Sequence, residues 1–141
     1  MLTGYVLGPG LEVALACDFR VASDTAILGF PETKLGVLPS FGTMHRLPAL
    51  LGASKSKKLL LTGKLVHAEE AEWLGLVDVV SPDPLTHARK IADSVARLPL
   101  SDTKRLLSGA SLADERNAFA NCCNEETKKR IEGAFKAKPK V

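Results

Sequence analysis

The chain has 141 residues, 45% of them hydrophobic and 25% charged, enough to bury a core within one domain without disulfides or metal. Its net charge of +3 is too small to argue for a polynucleotide partner by itself, and no run of about 18 apolar residues predicts a membrane span. Residues 1–53 carry three basic and four acidic groups, while residues 54–141 carry sixteen and twelve. That bias suits a phosphate-bearing small molecule as well as a nucleic acid. Three cysteines, Cys17, Cys122 and Cys123, are odd in number and lack metal-ligand spacing, so they read as reduced thiols of an intracellular protein. Met1 leads into LTGYVLGPG without a basic segment, an apolar core or a cleavage site, which predicts no secretory signal.

Leu2–Leu7 reads as the end of a strand closed by Gly8-Pro9-Gly10, and LEVALACD as a short buried helix. DFRVAS and AILGF are further short strands parted by the turn Ser23-Asp24-Thr25. Two helices follow over 42–51 and 54–62, separated by Gly52, with Ser54 as the expected N-cap. A helix opens at His67-Ala68-Glu69-Glu70 and stops at Gly75, and LVDVV is a strand. Asp83-Pro84 starts a helix expected to reach Leu98, because the carboxylate caps free amides and proline suits the first turn. One more helix starts at Ser101, and another near Ser111 runs to Phe135 before a basic tail. The fold class is α/β, with strands in the first third and helices after it. A first strand beginning at Met1 leaves an open edge, as though a segment that should precede it is missing.

Three features can carry chemistry. Gly8-Pro9-Gly10 joins a strand to a helix, where backbone N–H groups can face an anion; it also reads as a plain tight turn. Glu12 lies in the first turn of an apolar helix, where it either caps the helix or projects into a dry pocket as a general acid or base. Glu32 follows Phe30-Pro31 directly after a strand, either as an exposed loop residue or as the second of two carboxylates dividing acid and base roles. His45, His67 and His87 lack metal-ligand spacing, and Ser40 and Ser108 lack a G-x-S-x-G frame. The run Ser54-Lys55-Ser56-Lys57-Lys58 reads as solvated helix charge, since no aromatic interleaves it to stack bases.

GYVLGPGLEVALACDFRVAS, FPETKLGVLPSFG and LLLTGKLVHAEEAEWLGLVDVV, in that order, resemble the crotonase superfamily, the enoyl-CoA hydratase/isomerase family. The resemblance implies a spiral of ββα turns over 1–53 and, over 54–141, a helical region that mediates trimerisation, often as a dimer of trimers. Glu12 and Glu32 match the two glutamates with which hydratases position water and move protons. The implied reaction adds water to a trans-2-enoyl-CoA, with the thioester oxygen taking the charge and no metal or organic cofactor. Phe135 and Lys138 match an aromatic and a lysine that help hold CoA. The expected setting is the cytoplasm or an organelle matrix, and nothing in the residues singles out a membrane or nucleic-acid partner. Isomerisation, thioester hydrolysis, a non-catalytic acyl-CoA-binding or partner-stabilising subunit, and RNA binding through the lysine-rich helices, as some family members show, are the alternatives.

The sequence departs from that family in three ways. Pro9 stands where the family's glycine supplies an oxyanion N–H, and proline has none. Ser40-Phe41-Gly42-Thr43-Met44-His45 replaces Gly-x-Gly-Gly-Thr-Gln. The family chain is also about twice as long; its amino-terminal half is absent here, which implies a fragment, a separately encoded half with a partner, or the end of a fusion.

Overall fold

A computed structural model describes residues 1–96, 99 and 100–136, and for 134–136 only the backbone. The chain forms two compact units, Met1–Ala92 and Asp93–Val141. The first holds five short strands: β1 (Tyr5–Leu7), β2 (Val21–Ala22), β3 (Ile27–Gly29), β4 (Leu65–His67) and β5 (Val79–Val80). Its helices are α1 (Pro9–Leu15), α2 (Thr43–Leu51), α3 (Ala53–Thr62), α4 (Ala68–Leu74) and α5 (Pro84–Val95), the last crossing into the second unit. A short 3-10 helix, Pro31–Leu35, follows β3.

β3 is the central strand of a three-stranded sheet, parallel to β1 and antiparallel to β4. β2 pairs in parallel with β5, and an isolated bridge joins Leu2 to Ala22. Leu11, Leu28, Phe30, Leu47, Val66 and Leu76 fill one core between sheet and helices. Segments from 54–92, expected with the helical part, therefore pack into the same unit as residues 1–53. Strand β4 escapes the sequence patterns because three residues are too few to show alternation; its pairing with β3 makes it a strand.

Two local expectations are corrected. α3 begins at Ala53 with Gly52 at its cap position, so Ser54 lies inside the first turn and caps nothing. The helix expected from Ser111 to Phe135 is two: α7 (Leu112–Cys122) and α8 (Glu125–Lys136). The break falls where Asn124 Oδ1 accepts from the Thr127 amide at 2.9 Å, a side-chain bond that starts a new helix. α6 (Leu100–Leu107) and α7 complete the second unit, α7 opening on a capping box between Ser111 and Asp114. The expected extension of α5 to Leu98 and the basic tail lie outside the described residues. Among the described residues no helix is long and apolar enough to cross a membrane.

Candidate active site

The site is built where β1 turns into α1. Gly8 takes φ +48°, a backbone conformation open to glycine at little cost, and Pro9 fixes the first helical position. The Gly8 amide is spent on the sheet, donating to the Gly29 carbonyl at 3.0 Å, and Pro9 has none. The Gly10 and Leu11 amides have no acceptor among the described residues, which leaves them the free donors of this turn.

Glu12 is 1% exposed. Its carboxylate does not cap α1. It reaches the loop after the 3-10 helix, where the Ser40 amide donates to both oxygens at 3.1 Å and the Ser40 hydroxyl to Oε2 at 3.4 Å. Burying a carboxylate is costly unless donors hold it, and Ser40 supplies them. The capping alternative for Glu12 thus gives way to a buried carboxylate bound to a distant loop.

Glu32 sits in the first turn of the 3-10 helix. Its side chain lies against Gly8: a Cβ placed on Gly8 would fall 2.0 Å from Glu32 Oε1. Glu32 Oε2 is buried and has no hydrogen-bond partner, so one oxygen of this carboxyl is left without a donor. Thr33 Oγ1 donates to the Leu60 carbonyl at 2.8 Å and anchors the 3-10 helix to α3. The loop 32–40 is therefore clamped at both ends onto the first turn of α1, by Glu32 at Gly8 and by Ser40 at Glu12.

Ser40 and its neighbour Phe41, which adopts φ +43°, were not singled out as site residues by sequence patterns. Leu35, Leu38 and Phe41 are exposed along the same loop. His45 and His67 lie on exposed positions and His87 on a half-buried one, and Ser108 belongs to the second unit. The side chain of Phe135 and all of Lys138 fall outside the described residues.

The mixed α/β architecture is that of a crotonase-fold protein. Residues 1–127 match the family described as enoyl-CoA hydratase/isomerase. The chain belongs to that family. It is 42% identical over 116 residues to the probable enoyl-CoA hydratase echA8 of Mycobacterium bovis, covering 81% of this chain and 45% of that protein. It is likewise 42% identical over 137 residues to the glyoxysomal fatty acid beta-oxidation multifunctional protein MFP-a of Cucumis sativus, covering 92% of this chain and 18% of that one. The crystal structure of enoyl-CoA hydratase from Bacillus anthracis superposes with a TM-score of 0.82 at 37% identity, over 94% of this chain and 56% of the other. The chain spans about half the length of the curated hydratases it matches.

Proposed function

We propose that this chain carries the two-glutamate centre of an enoyl-CoA hydratase, which adds water across the double bond of a trans-2-enoyl-CoA. The observation that supports this most directly is the two carboxyls at the β1–α1 turn, Glu12 of α1 held by Ser40 and Glu32 of the 3-10 helix lying against Gly8 with a buried, undonated oxygen. One carboxyl takes a proton from water as the oxygen adds to Cβ, and the other delivers a proton to Cα. Negative charge passes to the thioester oxygen, and backbone N–H groups stabilise it there. With Pro9 unable to donate and the Gly8 amide committed to Gly29, Gly10 and Leu11 are the donors this turn offers. In the assembled enzyme, Phe135 and Lys138 contact CoA, and the helical region joins copies into a trimer or dimer of trimers.

The test is turnover of crotonyl-CoA, followed as loss of the conjugated thioester absorbance, with Glu32→Gln beside the parent chain. Hydration that disappears in Glu32→Gln while the circular dichroism is unchanged supports the reading. Undiminished turnover in Glu32→Gln overturns the assignment of the two glutamates. Pro9 favours a second reading, a non-catalytic subunit that binds acyl-CoA; saturable binding without turnover in the folded chain is its signature.

A further inference from the structure

Trp73 is the chain's one tryptophan, and on α4 it stays 78% exposed. Its ring is held from one side. The Lys55 ammonium lies 5.5 Å from the ring centroid and donates to the Leu74 carbonyl at 3.1 Å. A cation fixed over one face polarises the ring and leaves the opposite face to solvent.

Lys58 stands one turn after Lys55 on the same face of α3, and Lys64 follows just ahead of β4. With Trp73 and Glu70 these lysines line a cavity of about 170 Å³. Lys64 is paired with Glu70 at 2.5 Å, so those two charges offset each other. The Lys58 ammonium has no acceptor among the described residues, and that of Lys55 has a neutral carbonyl. Two uncompensated positive charges thus border a half-open aromatic platform. Within its own stretch of sequence the lysine run has no aromatic neighbour. The packing of α4 beside α3 brings one from a later helix.

We propose that this corner of α3 and α4 is a nucleotide-binding site. The base stacks on the open face of Trp73, and the phosphate is held by Lys58 and Lys55. A planar π-face beside a cation pair matches the two halves of a nucleotide. A free nucleotide and a nucleotide within a single strand present the same chemistry. The site uses neither Glu12 nor Glu32 and stands apart from the hydration reading.

Because Trp73 is the sole tryptophan, its fluorescence reports the site directly. The intact chain is titrated with ADP, with inorganic phosphate and with a short single-stranded oligoadenylate, at low and at moderate salt. Saturable quenching by ADP, weakened at least fivefold by Lys58→Gln and by added salt, is the expected result. Quenching by oligoadenylate with little response to ADP also supports the site and identifies the strand as its source. Equal affinity for ADP and inorganic phosphate removes the base from the interaction and overturns the proposal. So does the lack of a saturable change with any of the three at millimolar concentration in a folded sample. Calorimetry on Trp73→Ala repeats the measurement without the ring and should show the ADP heat lost, whereas unchanged heat places binding elsewhere and defeats the assignment.

Discussion

Glu32 and Gly8 are the residues whose contact constrains this site most tightly. A methyl group on Gly8 would occupy the space of Glu32 Oε1, and alanine would also adopt an unfavourable positive φ. Gly8→Ala should therefore cost about 1 kcal/mol in stability from the backbone. Glu32 ends in a flexible side chain and can move aside, so the larger loss should fall on turnover. Denaturant melts beside crotonyl-CoA kinetics separate the two, and equal small losses in both would mean that the carboxyl position is unimportant. At Pro9 the expected change is a gain. Pro9→Gly restores an N–H to the turn that the proposed reading makes the oxyanion site, and a single oxyanion donor is commonly worth on the order of 100-fold in rate. Unchanged or lower turnover would show that Gly10 already serves.

At the level of elements, β3 decides how the 3-10 helix is delivered to α1. Its last residue, Gly29, pairs with Leu65 of β4 so closely that a Cβ would lie 2.9 Å from the Lys64 carbonyl oxygen. Backbone cannot step aside as a side chain can. Gly29→Ala should cost about 1–3 kcal/mol by forcing β3 and β4 apart, read as a lowered denaturation midpoint. The ends of α5 and α7 respond to pH instead. Hydrogen bonds from the Thr86 side chain and backbone hold the Asp83 carboxyl below the usual carboxylate range. The Ser111 hydroxyl and amide do the same for Asp114. A value lowered on folding means stabilisation that is complete above the unfolded carboxyl range and disappears as pH falls through the folded value. Asp83 is exposed and Asp114 half-buried at the surface, so the expected outcome in acid is fraying of two helix starts rather than global unfolding. Amide shifts of Thr86 and Asp114 followed by NMR should titrate with midpoints below those of free carboxyls.

Across the whole first unit, Arg20 ties together segments far apart in sequence. Its guanidinium is buried and donates to the Leu76 carbonyl at 2.9 Å, the Cys17 carbonyl at 3.0 Å and Asp78 Oδ1 at 3.2 Å. The Arg20 amide also donates to Asp78 Oδ2 at 2.6 Å, which closes β2 against β5. Arg20→Ala leaves these acceptors without their donors and should lower the unfolding free energy by about 2–4 kcal/mol. A denaturation midpoint unchanged from the parent would mean that water replaces the guanidinium without cost. In sequence Arg20 was only a polar residue in the alternating stretch DFRVAS; its reach to Asp78 exists only once the chain is folded.

What could be read from sequence alone was whatever the chain specifies locally. The start of α5 at Asp83-Pro84 and the stop of α4 at Gly75 rest on capping and left-handed turn chemistry within a few residues. The α/β class was legible too, and Glu12 and Glu32 could be named as candidates, since motif residues keep their order along the chain. Tertiary structure decided the rest. It turned Glu12 away from capping and onto Ser40, set Glu32 against Gly8, made a strand of Leu65–His67 and stood Trp73 beside Lys55. Each of these is a contact between residues separated along the chain. Such contacts are chosen by packing and hydrogen-bond satisfaction in the folded core, which no local pattern of residues encodes.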